Sequence, residues 1–260
     1  MYKYKVFERF YFQYKTEAYP ARESIQSFCI KNMFQASKEL ISKIRNNKTL
    51  INGGLFSLFS FFNRGIGFIL LMLLAKYILP AEYGQLSLFN TIVMFLSFIV
   101  GLSTPGYFSL SYFQGNKEIL KKNFTAICFI TISVSTALCV LILCLHSYLY
   151  IFLKIEPTFL YIALFMAFCI IFVQMNLDYL RIQEKVSKYG LLSCTFALCN
   201  MVLSLYLVIG LDLSWKGCVY SQMTCNIIYF IISVIWFYKE HLFMFTIEFD
   251  IYKKLSLIHI

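Results

Sequence analysis

TLINGGLFSLFSFFNRGIGFILLMLLA, residues Thr49–Ala75, is an apolar run broken by a single charge, Arg64. About 20 predominantly apolar residues are enough for a helix to cross the hydrocarbon layer of a membrane. Arg64 falls near the middle of the run, where an ionisable side chain is hardest to tolerate and so calls for a functional explanation. Five further stretches carry no Lys, Arg, Asp or Glu: Tyr83–Asn116, Asn123–Leu153, Pro157–Leu177, Tyr189–Leu211 and Gly217–Tyr238. Hiding six such segments from water would require a larger soluble core than 260 residues can enclose. Charged residues make up 14% of the chain, against roughly 25% in soluble domains. The fold class expected is an all-α polytopic membrane protein.

The runs predict transmembrane helices at about 50–78, 84–113, 124–145, 157–177, 189–210 and 217–238, within a bundle spanning 49–240. Residues 1–48 read as a basic, amphipathic tail in the cytoplasm or at its membrane interface, and 241–260 as a cytoplasmic segment, expected to be the truncated entry to a second bundle. Gly65 and Gly67 are expected to allow close helix approach or local bending in the first helix. The second helix is longer than a bilayer requires, and Pro105 predicts a kink within it. Short connections at 79–83, 114–123, 146–156 and 211–216 make consecutive helices antiparallel neighbours.

The net charge of +10 reports topology rather than nucleic-acid binding. With a cytoplasmic N-terminus, the ten basic residues before Thr49 share a side with Lys117, Lys121, Lys122, Arg181, Lys185, Lys188, Lys239, Lys253 and Lys254. Only Lys76, Lys154 and Lys216 fall opposite, as the positive-inside rule requires. Both termini are then cytoplasmic, and the basic residues suit anionic lipid headgroups. The nine cysteines show no CxxC pair or Cys/His ligand spacing, so neither a metal nor a cofactor is expected. Charges throughout the first 48 residues argue against a cleaved signal peptide.

Leu74-Ala75-Lys76-Tyr77-Ile78-Leu79-Pro80-Ala81-Glu82-Tyr83-Gly84 resembles the first periplasmic turn of bacterial polysaccharide flippases, the O-antigen and capsule repeat-unit exporters of the multidrug/oligosaccharidyl-lipid/polysaccharide (MOP) superfamily. Gly101-Leu102-Ser103-Thr104-Pro105-Gly106 is similar to the end of that family's second helix. Tyr179–Tyr189 is similar to its basic cytoplasmic turn, and Leu213-Ser214-Trp215-Lys216-Gly217-Cys218 to the turn before its sixth helix. Leu79 stands where the family usually has Gly. The resemblance covers one half of a two-bundle flippase and places the protein in a bacterial inner membrane. It implies a lipid-linked oligosaccharide as substrate, alternating access as mechanism, and a second six-helix half or another copy of the chain as partner. A related multidrug or lipid-precursor exporter and a truncated, non-transporting membrane protein are the alternatives.

The substrate so implied joins a diphosphate to a glycan and a long lipid tail. Arg64 offers a permanent charge and a fork that meets diphosphate oxygens bidentately; the alternative is that it snorkels or pairs within the bundle. Asn63, Asn90, Asn200, Gln222 and Asn226 are candidates for bonding sugar hydroxyls, although such residues equally join helices. Gln222 and Asn226 lie one turn apart, on one face. Asn52, Gln174 and Asn176 are lesser candidates. No full-length hydrophobic segment carries an embedded Asp or Glu, and no nucleotide-binding or hydrolase motif occurs in these segments, so the chain reads as non-enzymatic.

Overall fold

The computed structural model describes residues 48–101, 104–113, 115–153 and 155–243. The tail expected over 1–48 lies outside the described residues except for Lys48, as does the carboxy-terminal segment beyond Phe243. The chain forms two compact units, residues 1–55 and 56–260; of the first, only 48–55 are described, as the opening turns of a helix.

Among the described residues seven helices follow in order: α1 (Lys48–Leu74), α2 (Pro80–Gly101), α3 (Thr104–Phe113), α4 (Lys117–Leu153), α5 (Pro157–Ile182), α6 (Val186–Leu205, continued by a wide π turn over Tyr206–Gly210) and α7 (Ser214–Lys239). All except α3 are long and apolar enough to cross a membrane. The described residues thus form an all-α bundle of six candidate spans, and the chain is a multi-pass membrane protein.

The second span, expected over 84–113 with a kink at Pro105, is described in two parts, α2 and α3, with residues 102–103 between them outside the described residues. One expectation needs correction. The third span was expected over 124–145, whereas α4 runs from Lys117 to Leu153. Hydropathy marks the stretch that suits lipid, but Lys117, Glu118, Lys121 and Lys122 are good helix formers and extend the helix beyond it.

The centre of the bundle is α5, which packs against α2, α3, α4, α6 and α7. Pro157 starts it, using a position that needs no N–H donor. Near its end, Tyr179 joins an aromatic cluster with Phe108 of α3, Phe124 of α4 and Phe237 of α7. The three phenylalanines are wholly buried, and Phe124 and Phe237 approach to 4.8 Å between ring centroids. At the opposite end Phe159 of α5 packs on Trp215 of α7, also at 4.8 Å. By contrast, α1 buries only Ile66 and Leu74.

Polar groups in the spans are largely satisfied locally, as an apolar solvent demands. Ser60, Thr91, Ser97, Thr131 and Thr136 each donate to the carbonyl four residues earlier. Apart from Arg64, the described charges lie at or near helix ends. Lys185 pairs with Glu240 at 3.3 Å at one end of the bundle. At the other, the Ser214 hydroxyl donates to Glu82 at 2.6 Å, tying the start of α7 to α2.

Candidate functional site

A cavity of about 590 Å³ opens in the bundle, walled by α1, α2, α5, α6 and α7. Asn63 and Gly67 reach it from α1, Asn90 and Ser97 from α2, Gln174 from α5, Ser193 and Asn200 from α6, and Gln222 and Asn226 from α7. The structure therefore gathers the five main carboxamide candidates of the sequence, from four helices, together with the lesser candidate Gln174 from a fifth. Its remaining wall is apolar, with Met94, Met166, Leu177 and Phe196 prominent. No charged residue is among those lining it.

The carboxamides are held differently. The Ser204 hydroxyl donates to Ser221 at 2.9 Å, and Ser221 donates onward to both the backbone oxygen and the side-chain Oδ1 of Asn200, at 3.0 and 3.1 Å. A hydroxyl has one proton, so Asn200 receives a three-centre bond. With Oδ1 engaged, the Nδ2 donors are the free end of Asn200. Asn226 has the opposite bias, because its Nδ2 donates to the Gln222 carbonyl at 2.8 Å and leaves Oδ1 as the free acceptor. The Oδ1 of Asn63 is buried and has no hydrogen-bond partner among the described residues. Donors and acceptors are therefore both on offer. Polyols need that mixture, since each hydroxyl donates once and accepts twice.

The backbone below Asn200 is shaped by its neighbour. Gly217 of α7 faces the π turn so closely that a β-carbon there would lie 3.1 Å from the Leu207 carbonyl carbon. Only glycine permits that approach without displacement. The turn re-aims the end of α6 just beyond the Ser204–Ser221–Asn200 chain. Sequence inspection did not find it, because no residue type signals a π turn.

Arg64 is exposed, one residue after Asn63 on α1, and is not among the residues lining the cavity. Among the described residues, no side chain or backbone group forms a hydrogen bond or ion pair with its guanidinium. Gly65 and Gly67 are not points of close approach: α1 remains helical through both, and a β-carbon at either would meet nothing within 4 Å. They leave room beside α1 instead of contact. Asn176 is fully buried away from the cavity and donates to Ser233 at 3.2 Å, the helix-joining role.

No family model matches the sequence, and no curated protein matches it. Solved structures do. An outward-facing multidrug resistance MATE transporter of the MOP superfamily superposes with a TM-score of 0.63 at 13% identity, covering 82% of this chain and 51% of the transporter. A mutant MATE protein gives 0.60 at 13% identity, covering 76% and 47%. A MOP superfamily transporter from Pyrococcus furiosus, described as having a binding pocket of reversed polarity, gives 0.59 at 12% identity, covering 79% and 48%. The chain spans about half the length of these proteins and shares the fold of that half.

Proposed function

We propose that the chain is one half of an exporter in the MOP superfamily that moves undecaprenyl-diphosphate-linked oligosaccharide repeat units across the bacterial inner membrane. A second six-helix half, or a second copy, supplies the facing wall, and the two alternate access to the cavity. One observation carries this reading: the cavity is lined by six carboxamides from five helices and by no charge. A glycan offers dense hydroxyls that amides bond in both senses, whereas a cationic drug gains most from a carboxylate. The excess of Lys and Arg on one side supports an inner-membrane orientation with cytoplasmic termini.

Arg64 takes the diphosphate in this reading. Its place beside Asn63, its mid-span position and its lack of a partner among the described residues suit an anion held at the cavity edge. Multidrug export is the second reading. It is favoured by the apolar wall containing Met94, Met166 and Phe196, and by the drug exporter among the fold neighbours.

Binding in lipid nanodiscs separates the two. The chain is expected to bind a polyprenyl-diphosphate oligosaccharide and to lose about two- to tenfold in affinity for each of Asn200→Ala and Gln222→Ala, the range for one hydrogen bond. A cationic dye that binds where the glycan does not would reject the proposal. In cells exporting polysaccharide through the two-half protein, Arg64→Ala should reduce export more than Arg64→Lys at equal membrane insertion. Equal export would remove Arg64 from the anion site.

A further inference from the structure

A dry compartment adjoins the cavity. Leu58, Phe62, Gly65 and Ile69 of α1 and Cys194 of α6 line a groove of about 520 Å³ whose wall is apolar. Ile66 of α1 lines both the groove and the cavity. The two compartments thus lie on either side of one helix seam: Asn63, Gly67 and Leu70 face the cavity from α1, and Ser193 and Asn200 face it from α6. Toward one end the seam is shut by aromatic contacts. Phe59 lies over Gly190, where even a β-carbon would collide with its ring, and Phe56 meets Tyr189 edge-on at 5.0 Å. Farther along, Ile66 is the residue common to the two walls.

We infer that the groove seats the isoprenoid chain of the lipid-linked glycan whose head occupies the cavity, with the chain crossing the seam beside Ile66. This rests on the proposed function. The choice of occupant follows from depth and continuity. Ile66 lies within the α1 span, about 12 Å from its nearer end, so a head group read by Asn63 and Asn200 sits well inside the ~30 Å hydrocarbon layer. A phospholipid, by contrast, keeps its head at the interface and needs no exit at this depth. Another apolar depression, along Phe129, Ile132 and Val140 of α4, shares no residue with the cavity.

Lipid chains are as apolar as the groove, so seating one there gains packing but no hydrophobic driving force. The expected dependence is therefore modest. The test compares three probes in nanodiscs: a long-chain polyprenyl-diphosphate disaccharide, its short-chain analogue and the water-soluble disaccharide diphosphate. Gly65→Phe fills the groove from α1, where the open space around Gly65 accommodates a ring, and Cys194→Trp fills it from α6. Each variant should weaken the long-chain probe about tenfold and leave the soluble probe within about twofold, whereas Asn200→Ala should weaken all three. Equal effects of the filling variants on every probe, or none on any, would overturn the inference. So would displacement of the long-chain probe by phosphatidylglycerol as readily as by its unlabelled copy, since ordinary bilayer lipid would then be the occupant. If the soluble probe fails to bind while chain length and groove filling still matter, the glycan reading falls and the chain site stands.

Discussion

Truncating Asn200 and truncating Ser221 should have opposite consequences. Ser221 is wholly buried, accepts a hydrogen bond from Ser204, itself 1% exposed, and donates the three-centre bond to Asn200. Ser221→Ala removes both interactions and leaves the Ser204 hydroxyl without its acceptor. Interhelical hydrogen bonds in membranes average about 0.6 kcal/mol and reach about 1.7, so the loss should be about 1–2 kcal/mol. Asn200→Ala removes only the Oδ1 branch, and the backbone oxygen of residue 200 remains to take the proton whole. Its side chain also borders an open cavity, so its removal creates no sealed void. The expected loss is below about 0.5 kcal/mol. Reversible unfolding in detergent micelles, by urea or by steric trapping, measures both. The measurement should find Asn200→Ala near the parent in stability yet weakened in glycan binding, with Ser221→Ala plainly destabilised. If Asn200→Ala costs as much as Ser221→Ala, the carboxamide belongs to the scaffold and the reasoning that assigns it to ligand fails.

The remaining predictions use the same unfolding assay. Ser233→Ala should cost about 1–3 kcal/mol by stranding the buried Asn176 amide, while Ser233→Ala combined with Asn176→Leu should recover most of the loss; no recovery would mean that the pair is not what holds α5 to α7. Gly217→Ala should destabilise by about 1–3 kcal/mol, because the β-carbon meets backbone of the π turn at 3.1 and 3.2 Å. Lys185→Ala should change stability by less than about 1 kcal/mol despite its ion pair with Glu240, since both side chains are about one-third exposed. Arg64→Leu should favour membrane insertion of α1 by about 2.5–3.5 kcal/mol on a translocon-based scale, and an unchanged inserted fraction in a glycosylation-mapping assay would show that Arg64 does not sit at mid-depth.

The six spans were legible because membrane solvation acts on composition: the charge-free runs after Arg64 needed no tertiary knowledge. Helix ends were less so. Lys117–Lys122 ended the hydrophobic run without ending α4, as charges that leave lipid remain good helix formers in water. Gln222 and Asn226 were placed on one face by their spacing alone, but that Asn63, Asn90 and Asn200 would meet them depends on helix rotations that periodicity leaves open. Asn176 shows the reverse. Its residue type matches the cavity amides, yet the rotation of α5 turns it toward Ser233 while Gln174, two positions earlier, faces the cavity. Arg64 was the most conspicuous residue in the sequence and is absent from the cavity wall, because conspicuousness in a sequence measures solvation cost and carries no direction.

The central place of α5 has a consequence for how the protein is made. It precedes α6 and α7 in the chain, yet one of its flanks is covered by them. While the ribosome is still extending the polypeptide, that flank faces lipid, and the Asn176 amide is without Ser233 until α7 has been inserted. Assembly of the described bundle therefore waits on α7: a nascent chain halted before Ser214 has its central helix in place but only part of its packing. Quality-control proteases that sense unpaired polar groups in the bilayer would find their signal in α5 during that interval.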